Sequence, residues 1–378
     1  MPQTGEDRIG VLYVVFELFA GGMENGIVNL VNNSSDRFRH VVCCLRKKGD
    51  FARRLKRDTR VHELCMSQGN DYSLPYRILA VTRRERIGVV RAFNEDPYFY
   101  SFLGAKMTGR PILYYNGGRV LPEKRRRLFF ERTFGNCASK VIVPSRGLKE
   151  YMVTKVGIMR DLIRVIHNGV DLKRFFKPKP MSEKRVELSI PAGDLVIGTV
   201  GRLVQQKDFP CFFEVARRLL AVRQNVSFII VGDGPLKAEL TALAARMGLG
   251  EKVKFLGIRQ DIEDLYAVMD LFVLTTRREG MSNVVLEAMA SKKVVIASDV
   301  EGIREVIHDG EDGFILKVGD VDGFVRTILS LEKNGREEIG EKALTRVKYH
   351  FSIERMVESY ENLYLEVLGA GGNAAFRQ

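Results

Sequence analysis

The sequence is poor in the residues that build metal sites and disulfides, and it contains no tryptophan. Only five cysteines and five histidines occur among its 378 residues. No CxxC, HxxxH or HExxH motif links them, so we expect buried thiols in a reducing cytosol and no metal site built from histidine or cysteine. No run of ~18 uncharged apolar residues is present, and we therefore expect no membrane-spanning helix.

Positive charge is plentiful but unevenly distributed. Residues 1–173 hold 31 Lys and Arg against 17 Asp and Glu, a net charge of +14, whereas residues 174–378 hold 29 against 30. Such a one-sided basic field indicates a polyanionic partner, which could be a nucleic acid, an anionic membrane surface or a phosphorylated substrate. The overall composition, with 45% hydrophobic and 28% charged residues, is that of an ordinary soluble globular protein.

Short β-type runs alternate with helical patterns along the whole chain, which is typical of parallel sheets covered by helices on both faces. The clearest helical patterns are 210–223, 235–247 and 283–290. We expect an α/β fold of two doubly wound, Rossmann-like domains that face each other across a cleft. The predicted strands are 8–16, 41–45, 112–115, 141–144, 163–166, 195–200, 227–231, 253–256, 271–274 and 294–297.

The middle of the chain interrupts this pattern. Residues 171–193 contain three prolines and many charges, and a new strand begins at Leu195. These features predict a boundary between domains. We expect a basic first domain over 1–173, a linker over 174–192, a second domain over 193–350, and a C-terminal helix in 351–378 that either covers the second sheet or crosses back to the first domain.

A glycine pair follows the first predicted strand. Gly21 and Gly22 open a predicted helix over 24–32, so their backbone amides could approach an anion at a helix N-terminus. The alternative is a tight turn that only needs glycine for its conformation. The pattern is not GxGxxG and does not support a dinucleotide-dependent dehydrogenase.

Two cations follow the first strand of the second domain. Gly201 ends that strand, and Arg202 and Lys207 could then clamp a diphosphate from two sides. The alternative is two solvated surface cations. The next strand ends at Gly232, in the turn Val231-Gly-Asp-Gly-Pro235, which lies on the same edge of a parallel sheet.

A pair of glutamates flanks the start of the predicted helix 283–290. Glu279 lies on the loop before this helix and Glu287 lies about one turn inside it. Amides near residues 282–284 could bind phosphate, and the Glu287 carboxylate could accept hydrogen bonds from ribose hydroxyls. The alternative is the general preference of helix N-termini for acidic residues.

Taken together, several segments resemble family 4 retaining glycosyltransferases, in the order found in that family and over almost the whole chain. The resembling segments are GGME, VIHNGVDLKRF, GRLVQQKD, VGDGP, FLGIRQDIEDLYAVMDLFVLTT, EGMSNVVLEAMA with its E-x7-E spacing, and ASDVEGIREVIHDGEDGFIL. The resemblance implies a two-domain GT-B fold, a basic acceptor-side first domain, a donor-binding second domain, retention of anomeric configuration, and no cofactor or metal. It also implies a nucleotide-diphosphate-sugar donor, with UDP-sugar favoured over GDP-sugar.

The resemblance assigns roles to residues by position. Arg202 and Lys207 would hold the donor diphosphate and, with Glu279, act in catalysis, while Glu287 would bind the ribose. The transferred sugar would contact Glu279 and the backbone of the residues that follow it. The full implied donor site is Gly21, Gly22, Gly201, Arg202, Lys207, Gly232, Gly257, Ile258, Arg259, Glu279, Gly280, Met281, Ser282, Asn283, Val284 and Glu287.

One position departs from the family pattern. Many members carry a histidine after a first-domain strand, and Asn116 stands there in this chain, followed by Gly117. An amide can hydrogen-bond a sugar hydroxyl but does not exchange protons near neutral pH. We place Asn116 and Gly117 on the acceptor side.

Two further motifs each allow two interpretations. Asp320 and Asp322 match a metal-binding DxD, but the helical pattern 323–331 follows them, so a helix cap is the preferred interpretation. The segment 119–132 combines cations with Leu128, Phe129 and Phe130, which suits either an anionic membrane interface or a solvated helix whose apolar residues pack inside.

We therefore predict a cytoplasmic, peripherally membrane-bound glycosyltransferase that moves a hexose to a lipid-linked or glycan acceptor in polysaccharide or lipopolysaccharide biosynthesis. A GT-B sugar-nucleotide epimerase is the enzymatic alternative, although a small soluble substrate would need no large basic surface. A nucleic-acid-binding protein is the other alternative. We expect no nucleic acid, because no helix-turn-helix, zinc-finger or RNP motif is present.

Overall fold

The computed structural model describes residues 8–19, 21–117, 125–176, 178, 180–331 and 333–371. The described chain divides into two compact units. The first contains the residues up to Gly169 together with those from Ile353 onward, and the second runs from Val170 to Ser352. The segment 174–192, which the sequence predicts to be a linker, therefore falls within the second unit, where part of it forms a helix.

The first unit is built on a seven-stranded sheet with the order β3-β2-β1-β4-β5-β6-β7, and all of its pairings are parallel. Its central strands are buried on both faces, as parallel sheets require. Strands β3 and β4 were not predicted from the sequence. The strands are β1 Ile9–Val15, β2 Phe38–Cys44, β3 Arg60–Glu63, β4 Ile87–Phe93, β5 Ile112–Tyr115, β6 Lys140–Val143 and β7 Ile163–Val165.

Helices cover both faces of this sheet and pack against two buried apolar clusters. Helix α1 begins at Gly22, immediately after the glycine pair, as the sequence predicts to within two residues. The first five helices are α1 Gly22–Asn33, α2 Leu74–Arg84, α3 Glu95–Met107, α4 Arg125–Gly135 and α5 Arg146–Tyr151.

The second unit contains a six-stranded parallel sheet with the order β10-β9-β8-β11-β12-β13. Strands β8 and β11 lie where the sequence places them, and the short edge strand β13 was not predicted. The strands are β8 Leu195–Val200, β9 Val226–Val231, β10 Val253–Gly257, β11 Leu271–Leu274, β12 Val294–Ser298 and β13 Phe314–Leu316.

The helices of the second unit also bury their apolar stripes on both faces of its sheet. Helix α10 has the predicted bounds, and it follows β11 through the loop that carries Glu279. The helices are α6 Met181–Glu187, α7 Phe209–Val222, α8 Lys237–Arg246, α9 Ile262–Val268, α10 Asn283–Ala290, α11 Glu301–Arg304, α12 Val321–Ser330 and α13 Lys333–His350.

The last helix, α14 (Ile353–Gly371), belongs to the first unit. Its Tyr360 and Tyr364 are buried against Arg91, which is itself buried in the middle of β4. The Arg91 guanidinium donates to the Tyr364 hydroxyl at 3.2 Å and lies 3.8 Å from the centre of the Tyr360 ring. Of the two positions that the sequence leaves open for this helix, the structure shows the one in the first unit.

Candidate active site

The second sheet has one point at which its strand order reverses. From β8 the chain builds β9 and β10 on one side and β11, β12 and β13 on the other. Ligands of doubly wound sheets bind beyond the carboxyl ends of the strands at such a switch point. Two loops lie there, residues 201–208 after β8 and residues 275–282 after β11.

Hydrogen bonds join these two loops into one structure. The carbonyl oxygen of Gln206 accepts from the Arg277 amide at 2.9 Å, and the Gln206 side chain donates to the Arg278 carbonyl at 2.7 Å. The Thr275 hydroxyl donates to the carbonyl oxygen of Asp208 at 3.0 Å. The loops are therefore fixed relative to each other before any ligand is considered.

Asp208 is a supporting residue that the sequence analysis missed. Its φ of 49° lies in the left-handed region, which is strained for a residue with a side chain. Its buried carboxylate pairs with the Arg277 guanidinium at 2.8 Å. The only sequence signal for this support was the concentration of polar residues directly after two buried strands.

The most informative contact of the site joins Lys207 and Glu279, two residues that the sequence analysis identified separately. The Lys207 ammonium lies 2.5 Å from Oε1 of Glu279, and their side chains are only 14% and 11% exposed. Arg202, in the same loop as Lys207, is exposed, and no partner for its side chain occurs among the described residues. The loop thus presents one shielded and one solvent-facing cation at the switch point.

Glycines keep the neighbouring strand ends free of side chains. A Cβ on Gly232, whose φ is 133°, would overlap the carbonyl oxygen of Gly201, so only glycine fits there. The Gly232 amide donates to the carbonyl oxygen of Gly257 at 2.8 Å. The predicted residues Gly201, Gly232 and Gly257 are therefore neighbours, and their backbone forms the rim of the crevice.

The loop before α10 lies against a second glycine. A Cβ on Gly302, in α11, would lie 2.6 Å from the carbonyl oxygen of Glu279 and 2.7 Å from that of Gly280. Met281 and Ser282 are buried behind this loop. Gly302 was not among the predicted site residues, although the quoted segment ASDVEGIREV contains it.

The N-terminus of α10 offers donors to a ligand. Helix amides of the first turn, such as that of Val284, have no acceptor within their own helix, and the helix dipole favours an anion there. The hydroxyl of Ser282, the N-cap residue, is buried and has no hydrogen-bond partner among the described residues. Asn283 begins the helix as predicted.

Glu287 is held by a buried tyrosine. The Tyr266 hydroxyl lies 3.1 Å from Oε2 of Glu287 and 3.1 Å from the carbonyl oxygen of Val284. Burial raises the pKa of Tyr266 well above its usual value, and the Glu287 charge adds to this effect, so the tyrosine stays a neutral donor. Tyr266 is a positioning residue that the sequence analysis did not identify.

The two predicted site residues that directly follow β10, which the family resemblance places near the nucleotide base, are arranged differently from the rest of the predicted site. Ile258 is exposed, whereas the Arg259 guanidinium is bonded to Asp261 at 2.6 and 2.8 Å and to Glu187 at 2.6 Å. The hydrogen bonds from Arg259 hold the pKa of Asp261 well below its usual range. Arg259 thus belongs to a separate ion-pair network, and it does not share the Lys207–Glu279 pair.

Four predicted residues lie in the first unit. Gly21 caps α1 in an extended conformation and Gly22 is its first residue. Asn116 is buried at the end of β5, followed by Gly117, and its amide donates to Oε1 of Glu131 at 2.9 Å. The Asn116 side chain therefore takes part in an interior hydrogen-bond network rather than lying on the surface.

Asp320 has the role of a helix cap. Its carboxylate accepts a hydrogen bond from the Gly323 amide at 2.9 Å at the start of α12. Asp322 pairs instead with Arg218 of α7. Across the part of the chain that the structure describes, no cluster of three or more His, Cys, Asp or Glu side chains is arranged to hold a metal ion.

The basic segment 119–132 is described only in part, because residues 118–124 and the side chains of 125–127 lie outside the described set. Within α4, Phe129 is 66% exposed and Phe130 is 44% exposed, while Leu128 packs against the core. The apolar residues of this helix are therefore divided between core and surface. None of the helices described here combines the length and the apolarity that crossing a membrane requires.

Comparisons with known proteins bear on the family and the fold of this chain. The model of a family described as Glycosyltransferase Family 4 matches residues 20–174, and that of Glycosyl transferases group 1 matches residues 194–334. The chain is 26% identical over 352 residues to the lipopolysaccharide core biosynthesis glycosyltransferase LpsE of Rhizobium meliloti (strain 1021), covering 91% of this chain and 95% of that protein. It is 25% identical over 306 residues to the UDP-Gal:alpha-D-GlcNAc-diphosphoundecaprenol alpha-1,3-galactosyltransferase of Escherichia coli, covering 78% of each.

The fold is shared with a solved structure. Anabaena HepE, crystallised with UDP and glucose, superposes with a TM-score of 0.85 at 22% identity, covering 95% of this chain and all of the HepE chain. The two family matches follow each other along the sequence and correspond to its two α/β units. The chain belongs to glycosyltransferase family 4 and is a glycosyltransferase with the two-domain, Rossmann-like GT-B fold.

Proposed function

We propose that this glycosyltransferase moves a hexose from a UDP-sugar to a hydroxyl of a lipid-linked or membrane-associated glycan, with retention of configuration, in polysaccharide biosynthesis. The observation that carries the proposal is the Lys207–Glu279 pair at the switch point of the second sheet. The names of relatives support the substrate classes, because the E. coli relative is named for UDP-Gal and a diphosphoundecaprenol acceptor. HepE is described in complex with UDP and glucose.

In this proposal the donor lies along the carboxyl edge of the second sheet. Lys207 and Arg202 bind the diphosphate, and the first-turn amides of α10 face its oxygens. Glu287, oriented by Tyr266, accepts from the ribose hydroxyls. Glu279 and the backbone of 280–283 contact the transferred hexose, while the rim at Gly257 and Ile258 is next to the base.

The chemistry then consists mainly of charge stabilisation. As the bond between the anomeric carbon and the phosphate oxygen breaks, negative charge grows on the departing diphosphate beside Lys207 and Arg202. The acceptor oxygen forms its new bond on the same face, and its proton passes to the departing phosphate oxygen. No protein base, cofactor or metal takes part, which is consistent with an amide at Asn116.

Donor binding is the first test of this proposal. A nucleotide present at about 100 times its dissociation constant adds ~2.7 kcal/mol to stability, so thermal unfolding with UDP or GDP at one shared concentration, with and without EDTA, ranks the two nucleotides. We expect UDP to give the larger shift, and EDTA to leave it unchanged. Absence of a shift with both nucleotides, or a strict requirement for Mg²⁺ or Mn²⁺, would contradict the donor site.

The anomeric configuration of the product tests retention. We expect ¹H NMR of the first product formed from a UDP-α-hexose and an accepted glycan to show an α-linkage. Formation of a free epimerised sugar nucleotide without acceptor would instead favour the epimerase alternative. A product with inverted anomeric configuration would refute the same-face mechanism.

We also propose that the first unit contacts an anionic membrane surface from the cytoplasmic side. Its exposed cations include Arg53, Arg54 and Arg57 near β3, and Phe129 offers an exposed aromatic ring. Each cation near such a surface contributes at most ~1 kcal/mol, and salt screens it over about 8–10 Å, so binding should be weak and reversible.

Co-sedimentation with vesicles tests the membrane contact. We expect binding to anionic but not neutral vesicles, weakened by salt and by reversing Arg125, Arg126 and Arg127 to Glu. The control reverses three exposed cations of the second unit, Arg246, Lys317 and Lys348, which changes the net charge equally. Equal loss in both triple variants would indicate a net-charge effect and refute a directed surface.

A further inference from the structure

The first unit contains a pocket that none of the predicted donor residues lines. Its volume is about 600 Å³, within the range of ~300–1,000 Å³ that small-molecule sites occupy. It opens beyond the carboxyl ends of β3, β4 and β5, between α3 and α4, which is the edge where open parallel sheets bind ligands. The lining residues that matter here are Tyr72, Asp96, Phe99, Phe130 and Phe134.

Exposed aromatic rings dominate the wall of this pocket. Tyr72 is 80% exposed, Phe99 is 50% exposed and Phe130 is 44% exposed. Phe99 meets the Phe134 ring edge-on, with centroids 5.4 Å apart, and Phe130 stacks on Phe134 at 6.2 Å. Large rings that are held together yet leave their faces to solvent mark a binding surface rather than a core.

The loop that carries Tyr72 is held in place from inside. The buried Asp71 carboxylate accepts from the amide and the hydroxyl of Ser73, at 3.0 and 2.6 Å. It also accepts from the amide and hydroxyl of Ser67, both at 3.1 Å. The Tyr72 ring is therefore presented outward by an ordered loop, which limits the entropy lost when a ligand stacks on it.

Acidic groups accompany these rings. Asp96 is exposed in the first turn of α3, and Glu95 and Glu131 also line the pocket. A carboxylate accepts several hydrogen bonds from hydroxyls and repels phosphates and carboxylates. A hydrocarbon chain would have to desolvate the same groups without replacing their hydrogen bonds. The lining therefore fits a ring with apolar C–H faces and neutral hydroxyls at its edge.

We propose that this pocket binds an uncharged hexose ring of the acceptor glycan, with its C–H face on Phe99 and Tyr72 and its hydroxyls bonded to Asp96. This assignment rests on the proposed transferase function, and it adds a chemical class for the acceptor. The surrounding unit is basic, yet the pocket itself selects against anionic sugars. The acceptor's phosphate or lipid portion would then lie outside the pocket.

The absence of tryptophan from the chain provides a direct test. The variant Phe99→Trp has a single tryptophan, located in the pocket, whose emission reports sugar stacking without any donor. The probes are methyl α-D-mannopyranoside, methyl β-D-galactopyranoside and methyl β-D-glucopyranoside. We expect a saturable change for at least one of them at millimolar concentration, and no saturable change in the control Leu329→Trp, on α12 of the second unit.

Two comparisons sharpen the test. Adding Asp96→Asn should weaken the sugar response about tenfold, because a charged acceptor is replaced by a neutral one. Sodium glucuronate should bind more weakly than the neutral glycosides in Phe99→Trp, and this preference should shrink with Asp96→Asn. Tyr72→Trp, at the more exposed site, is the second reporter in case the larger ring at position 99 disturbs the fold.

Several outcomes would overturn the proposal. These are a saturable response to farnesol without one to the glycosides, stronger binding of glucuronate than of neutral sugars, and no response to any glycoside in either reporter. UDP-induced thermal shift is measured on the same samples. If UDP shifts the unfolding temperature but no glycoside changes the tryptophan emission, only the sugar-binding proposal for the pocket is refuted. If UDP gives no shift in the unmodified protein, the proposed transferase function is refuted.

Discussion

The first unit carries 32 Lys and Arg against 20 Asp and Glu, whereas the second carries 28 against 27. The second unit matches its cations with nearby carboxylates, as Lys207 with Glu279 and Arg277 with Asp208 illustrate. The first unit leaves much of its positive charge in solvent. In the function proposed above, this difference would let the second unit hold an anionic ligand at short range and the first attract an anionic partner at long range.

Two shielded cations, one in each unit, illustrate different ways of burying a charge. At the switch point the Glu279 carboxylate neutralises the shielded ammonium of Lys207. In the first unit Arg91 is buried among the rings of Phe93, Tyr115 and Tyr360, and its guanidinium donates a hydrogen bond to the Tyr364 hydroxyl. A charge paired with a carboxylate can exchange partners with a phosphate, whereas a guanidinium enclosed by aromatic rings serves to fasten α14.

Replacing Lys207 by Ala tests the role of the second unit most severely. We expect turnover to fall by roughly two to three orders of magnitude, equivalent to about 3–4 kcal/mol of transition-state stabilisation, because the departing diphosphate loses its shielded cation. Steady-state kinetics with a UDP-sugar measures the effect. Arg202→Ala should lower turnover less, since Arg202 is exposed and its charge is screened.

The matched control for this loss is Lys292→Ala. Lys292 is an exposed lysine of the same unit that is also paired with a glutamate, Glu341. Its replacement should change turnover less than twofold, as expected for a surface pair. Equal activity of the Lys207 and Lys292 variants would remove Lys207 from the diphosphate site.

A buried histidine of the first unit should make folding stability depend on pH. His40 is buried against the Tyr13 hydroxyl at 3.0 Å, and burial lowers its pKa from 6.5 to about 4. Burial favours the neutral imidazole of His40 in the folded state. The contribution of His40 to folding stability is therefore complete above about pH 6.5 and is lost as the pH falls from there through about 4. A shift of this size corresponds to about 3 kcal/mol.

The variant His40→Gln should remove this pH dependence. Chemical denaturation from pH 7.5 to pH 4 gives the free energy of unfolding of both proteins. The difference between wild type and variant removes the contribution of carboxylates, because these titrate in both proteins. His308→Gln, which replaces a histidine of the second unit that is more than half exposed, is the comparison variant. A constant difference for His40→Gln across the range would refute the buried neutral histidine.

The sequence predicts most strands of both sheets, because strands buried on both faces of a parallel sheet appear as near-continuous apolar runs. It fails at β4, where the charged Arg91 interrupts the apolar pattern and is buried by distant aromatic rings, including those of α14. The edge strands β3 and β13 were missed for a related reason, since short, half-exposed strands lack a continuous apolar run.

The same limits apply to the site. Glycine turns and polar residues after strands identify Lys207, Glu279 and Gly232, because each lies at a strand end or a helix start. Contacts that span 72 residues, such as the Lys207–Glu279 pair, depend on strand order and are not encoded in any local pattern. The same limit applies to Arg259, since a motif position does not reveal that its guanidinium is bonded to Asp261 and Glu187.

The close contact of Gly302 with the Glu279 loop gives a smaller and more local perturbation. In Gly302→Ala the new methyl group would lie 2.6 Å from the Glu279 carbonyl oxygen, so the loop must shift away from α11. We expect turnover to fall about tenfold, or about 1.4 kcal/mol, with a similar loss of folding stability. Gly335→Ala in α13, where the added methyl meets open space, is the control and should be neutral or stabilising.

The smallest predicted effect is the change in UDP affinity caused by Glu279→Gln, and its direction distinguishes two roles of this carboxylate. The Glu279 carboxylate offsets the positive charge of the Lys207 ammonium, so Glu279 competes with the diphosphate for the same cation. In Glu279→Gln the competitor is neutral and isosteric. Affinity for UDP should therefore rise about three- to tenfold, equivalent to about 1 kcal/mol, while turnover with the UDP-sugar falls because a sugar contact is weakened.

Isothermal titration with UDP and kinetics with a UDP-sugar measure these two opposite changes on one variant. Glu341→Gln, which neutralises the partner of Lys292, is the matched control and should change neither quantity. If UDP affinity fell together with turnover in Glu279→Gln, the carboxylate would be orienting Lys207 for the phosphate rather than competing with it. The contrast between a self-neutralised donor unit and an openly basic first unit would then lose its functional meaning, because the pair would be part of the binding site itself.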